Sequence, residues 1–107
     1  MSKDQTLVIF RRRRETGTII AVFPTIPTDS HGWFLGGYEH GQYCSVDYYT
    51  ILKSTSPATL QESACLAKEL KEIGYNLKRI TRASEGIHLA RYIAAKAGTI
   101  LQFKAKV

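Results

Sequence analysis

Apolar and polar positions along the 107-residue chain follow two periods, one of strands and one of helices. Residues 6–10, TLVIF, and 18–23, TIIAVF, are rich in β-branched and aromatic side chains and enclose RRRRETG, where Gly17 can supply the positive φ of a turn. This arrangement predicts a β-hairpin. Both segments are apolar on their two faces, as central strands covered on each side are, and the arginines extend the first strand past the core. Pro24 and Pro27 are expected to end the second strand, and TIPTDSHG reads as a loop because proline is combined there with Asp29, Ser30 and Gly32. WFLGGYEH predicts a third strand, with a bulge or a close backbone approach at Gly36 and Gly37. YCSVDYYTIL, residues 43–52, has the composition of a fourth strand. Val46, Tyr49 and Lys53 also fit helical spacing, which leaves a short helix open as the alternative.

The helical period follows. Thr59 stands three residues before Glu62, the spacing of a capping box in which the side chains satisfy each other's backbone donors. Leu60, Ala64, Ala67, Leu70 and Ile73 then recur at helical spacing, and Gly74 sits where a left-handed cap is expected, so a helix is predicted over 60–73. YNLKRITR, 75–82, alternates enough to be a strand. Ser84 caps a second predicted helix over about 85–97, with Ile87, Ala90, Ile93, Ala94 and Ala97 as its expected core stripe. In TILQFKAKV, 99–107, apolar residues alternate with Gln102, Lys104 and Lys106, the pattern of a strand with one wet face. The fold class is α+β: a single domain over 1–107, mainly an antiparallel sheet of four to six strands, with the two helices packed on one side.

Composition agrees. A chain of this size buries about two thirds of its unfolded surface around one core, and 44% apolar with 22% charged residues is ordinary globular usage. No apolar run approaches the roughly 20 residues that cross a bilayer, and MSKDQT does not lead into a signal-peptide core. A cytoplasmic protein without membrane contact is expected. Cys44 and Cys65 do not make a disulfide framework. The net charge of +6 is uneven: from position 60 onward nine basic residues face four acidic ones, and Arg11 to Arg14 are consecutive. Such an excess favours polyanions or acidic protein surfaces as partners.

GGYEHGQYCSVDYY, residues 36–49, gathers most of the chemistry-bearing side chains. His40 and Cys44, with Glu39, Asp47 and His31, offer donor types for zinc or for a thiolate and imidazole pair. A structural zinc site needs about four ligands in paired clusters, and neither C-x-x-C nor H-x-x-x-H occurs, so no metal is assigned. A nucleophilic cysteine needs a base within reach, yet in an extended segment positions 40 and 44 lie more than about 12 Å apart. No catalytic residue and no cofactor is assigned. The segment leaves open a ligand pocket of His40, Gln42, Cys44, Asp47, Tyr38 and Trp33. The simpler reading makes Tyr38, Tyr43, Tyr48 and Tyr49 half-buried strand residues with packed rings and wet hydroxyls. An intermediate reading is a binding surface joined by Trp33, Phe34 and Tyr38. Arg11, Arg12, Arg13 and Arg14 read either as a phosphate-binding hairpin tip or as a solvated strand end, and Lys78, Arg79 and Arg82 extend the basic set.

Three stretches, VIFRRRRETGTIIAVFP, YEHGQYCSVDY and SPATLQESACLAKELKEIGYNLKRITR, together resemble a set of short bacterial, phage and plasmid-borne proteins of unknown function. These share an IFR…G.IIA.FP start, an H.GQ….DY centre and a T.PAT…L…L..IGY.L helix. The resemblance covers residues 7 to about 82 and leaves out the last 25, and Tyr43 and Cys44 depart from it. It implies an accessory protein of a mobile element and assigns no catalytic or binding residue.

The leading expectation is a non-enzymatic module that binds nucleic acid or an acidic protein surface through Arg11 to Arg14, Lys78, Arg79 and Arg82. Two others compete with it: a small enzyme or ligand-binding protein built on residues 40–47, and a homo-oligomer joined through an exposed strand at 99–107.

Overall fold

The computed structural model describes residues 5–98. Along the chain run β1 (Thr6–Arg13), β2 (Ile19–Pro27), β3 (Phe34–Glu39), β4 (Gln42–Asp47), α1 (Tyr48–Ser54), β5 (Thr55–Pro57), α2 (Leu60–Ile73), β6 (Leu77–Arg79) and α3 (Glu85–Lys96). This is the α+β class that the periodicity predicts. The strands form one six-stranded sheet in the order β4-β3-β2-β1-β5, with β6 also paired to β1. Ile9 lies opposite Val22 and Phe10 opposite Ala21, so the hairpin places two runs of apolar residues at the centre of the sheet. The far edge of β1 is shared. Its first half carries β6 in parallel, Thr6 opposite Leu77, and its second half carries β5 antiparallel, Arg13 opposite Thr55.

Because successive strand residues point to opposite faces, two apolar faces need two covers. Val8, Phe10, Ala21, Phe23 and Tyr38 form one core cluster, closed by Leu66, Ala67 and Leu70 of α2. Ile9, Ile20, Val22 and Leu35 form the other, closed by Tyr48 and Ile51 of α1. Helix α3 comes to that second side, with the His88 ring edge-on to Tyr48 at 4.7 Å. The two long helices therefore divide between the faces, whereas the sequence places both on one side. The apolarity of both faces of β1 and β2 is what demands the second cover.

Local signals account for most element ends. The capping box forms as expected, Thr59 and Glu62 each accepting from the other's backbone, and Gly74 ends α2 at φ 129°. Ser84 accepts from Ile87 N at the start of α3. Residues 43–52, expected as one strand, change period at Asp47, whose carboxylate accepts from Thr50 N and so starts α1. The short-helix alternative thus holds for the second half of that stretch. β2 continues through Pro24 to Pro27, and its pairing with β3 shifts register between Phe23 and Pro27. The irregularity thus lies on β2, and the close approach lies at Gly37, where an added Cβ would stand 2.9 Å from Cys44 Sγ. The core stripe expected on α3 is rotated: Ile93 is 60% exposed, while Arg91 and Ala95 are buried. Arg91 donates to Gly32 O and Pro24 O, both at 2.8 Å. Of the predicted strand at 75–82 only Leu77–Arg79 is regular, and the strand expected at 99–107 lies outside the described residues.

Candidate binding surface

The four consecutive arginines do not share a surface. Arg11 points to the α1 side and is buried, its guanidinium donating to Thr55 Oγ1 at 2.8 Å, to Thr55 O at 2.8 Å and to Leu52 O at 3.2 Å. Arg13, on the same face, grips Glu39 with two nitrogens, Nε lying 2.9 Å from Oε2. The pair shifts both groups, the Glu39 carboxyl below the usual carboxylate range and the Arg13 guanidinium upward, each chiefly through this hydrogen bonding. Arg12 points to the α2 side, 3.5 Å from Glu62. Arg14 donates to Lys53 O at 2.6 Å. All four have partners within the domain, Arg12 and Arg13 in ion pairs and Arg11 and Arg14 on neutral oxygens, so the hairpin end is a bonded corner where β1 meets β3, α1 and α2.

The ligand pocket expected in the 36–49 stretch comes together only in part. His40 and Gly41 are the turn between β3 and β4, with φ of 53° and 74°, the pair of positive values a two-residue hairpin turn requires. His40, Gln42 and Cys44 line an open cleft of about 390 Å³ with Arg13, Thr16 and Glu39. Asp47 is absent from it because it caps α1, and Tyr38 points through the sheet to the α2 side. Trp33 is exposed and stacks on His31 at 4.8 Å. Burial, with Glu39 second, raises the Cys44 thiol pKa, the wrong direction for a thiolate nucleophile. Among the described residues no group of three or more His, Cys, Asp or Glu side chains is placed to hold a metal ion.

The tyrosines prove to be mainly packing residues. Tyr38 donates to Glu69 at 2.6 Å, a bond that pushes its pKa up to about 12. The Tyr43 and Tyr75 hydroxyls lie 2.7 Å apart, and Tyr48 accepts from Ala83 N at 2.9 Å. The rings of Tyr38 and Tyr43 pack toward the core from strands as expected, Tyr48 does so from α1 instead, and these hydroxyls are bonded within the protein rather than wet. Tyr49 alone of the four in the 36–49 stretch is fully on the surface, at 64% exposure.

A second concavity, of about 410 Å³, lies between α2 and the β1/β6 edge. Its floor is apolar, Val8, Phe10 and Leu77, and its wall is Leu60, Ala64 and Ala67 of α2. Lys68, Lys71 and Arg79 also line it, and among the described residues no carboxylate does. Arg79 is fixed by Ser63 Oγ at 2.7 Å and lies over the Phe10 ring at 5.3 Å. Lys78 and Arg82 are exposed nearby in sequence, and neither these two nor Lys68 and Lys71 form an ion pair with a described carboxylate.

Of the seven basic residues named from the sequence, then, five are engaged internally, and Lys78 and Arg82 keep open charges. The sequence reading did not single out Lys68 and Lys71. No local signal marked them: Leu60, Ala64 and Ala67, which line the groove with them, read in the sequence as part of the core stripe, and only the placement of β1 and β6 leaves that flank open. Among the described residues no helix is long and apolar enough to cross a membrane. Comparison of the chain with protein-family models, with curated protein sequences and with solved structures gives no match.

Proposed function

We propose that the protein is a small non-enzymatic binding module that engages an acidic protein surface through its α2/β6 side. The observation that carries this reading is the pair of lysines without an ion-pair partner among the described residues, Lys68 and Lys71, on the wall of an apolar groove that no described carboxylate lines, with Lys78 exposed on the other face of the same strand edge. Charge supplies steering and orientation there, and buried apolar area supplies most of the affinity. Nucleic acid is the less favoured partner because, of the arginine run that suggested it, Arg11 is buried against Thr55 and Arg12 and Arg13 pair with Glu62 and Glu39, which leaves Arg14 as its one exposed cation without a described carboxylate partner. The resemblance to phage and plasmid-borne proteins supplies a setting for this role, a cytoplasmic accessory protein of a mobile element.

The test compares binding of an acidic polypeptide, polyglutamate, with binding of single- and double-stranded DNA and RNA across a salt series. The reading expects polyglutamate to bind more tightly, with K68E/K71E weakening it and R12A/R14A leaving it unchanged. Tighter binding of any nucleic acid would transfer the surface to that partner. Absence of binding to all of them at low salt would remove the proposal.

A further inference from the structure

β6 has a free edge. Thr6 N donates to Asn76 O and Ile80 N donates to Val8 O, so the alternation of a parallel ladder turns the backbone groups of Lys78 toward β1. By the same alternation the N–H and C=O groups of Leu77 and Arg79 point away from the sheet. β6 pairs with β1 alone among the described strands. The side chains of Leu77 and Arg79 turn toward the groove under α2, and Lys78 turns to the opposite face. An unpaired strand edge, an apolar floor beside it, and lysines on the helix that overlooks it therefore converge at one place.

We infer that an extended peptide docks here by adding a strand to β6, and that this peptide alternates apolar with acidic residues. The inference rests on the binding-module reading and specifies its partner. Backbone bonds to Leu77 and Arg79 would hold the strand, as in other cases of strand addition to a sheet edge. Apolar side chains on one side of the peptide would cover Leu77 and the exposed flank of α2. Leu60 at the mouth of the groove is 74% exposed and gains the most cover. Carboxylates on the peptide's other side fall beside Lys78, the cross-strand position at which opposite charges attract. Lys68 and Lys71 select against basic peptides. Residues 99–107 of this chain, with Lys104, Lys106 and no Asp or Glu side chain, lack the side-chain charge the site asks for.

The experiment titrates the intact protein into three short labelled peptides: one alternating valine and glutamate, the same peptide N-methylated at alternate amides on its β6-facing edge, and one of glutamate alone. The first is expected to bind about tenfold more tightly than either of the others. The variant K78E should weaken the first by on the order of tenfold while its circular dichroism stays unchanged. Equal binding of the methylated peptide overturns strand addition and leaves the acidic-partner reading in place. Failure of all three peptides to bind overturns both.

Discussion

The Arg11 guanidinium donates to both the side-chain and the main-chain oxygen of Thr55, each at 2.8 Å, and so locks β1 to the junction of α1 and β5. Replacing Arg11 with alanine leaves Thr55 O and Leu52 O without this donor in a buried setting. The expected cost is about 2–4 kcal/mol of stability, and R14A, whose partner is exposed, should cost under about 0.5 kcal/mol. Urea denaturation of both variants checks the contrast. Similar small losses for both would mean that the run is a solvated strand end.

Gly32 is where α3 meets the loop before β3. It has φ of 77°, and an added Cβ would lie 3.0 Å from the backbone Cα of Tyr92, while its own carbonyl accepts from buried Arg91. G32A therefore combines an unfavourable backbone conformation with a clash that no side-chain rotation relieves, and a loss of about 2–3 kcal/mol is expected. A thermal melt of G32A that matches the parent would show that α3 is not seated on this loop.

Acid should weaken the fold in two steps. The His88 pKa is lowered, first by burial and then by Arg91, and its Nδ1 is buried without a hydrogen-bond partner among the described residues. A histidine whose folded pKa is depressed favours folding above its unfolded value near 6.5, and that contribution is lost as pH falls from there through the folded pKa. Glu39 is likewise depressed, chiefly by Arg13, so its contribution is present above about 4.3 and is lost as pH falls further. H88F keeps a ring against Tyr48 and should remove the upper step. E39Q should remove the lower one and cost about 1 kcal/mol at neutral pH. Stability measured from pH 3 to pH 8 for the parent and both variants separates these contributions; persistence of the upper step in H88F would assign it elsewhere.

The helices were legible because their end signals are local. Thr59, Glu62, Gly74 and Ser84 act on backbone groups within a few residues, and each does so in the fold. The central hairpin was legible because β1 and β2 are apolar on both faces. The division of the helices between those faces was not, since it depends on where Arg91 finds carbonyls far along the chain, at Gly32 and Pro24. The same limit applied to function. A run of arginines reads as an exposed patch until strand alternation sends Arg11 and Arg13 to one face and Arg12 to the other, each toward a partner supplied by a distant segment. The candidate surface was obscured for the converse reason: Lys68 and Lys71 gain meaning only when β6 is placed beside their helix.

The most direct test of the account is a nuclear magnetic resonance titration of the labelled protein with the valine and glutamate peptide, following every backbone amide. The account predicts that the largest shift changes fall on Leu77 to Arg79 and on the flank of α2 that carries Ala64, Lys68 and Lys71, with Arg11 to Arg14 unmoved. Changes centred on the Arg12 to Gly17 turn or on the His40 to Cys44 cleft would contradict it.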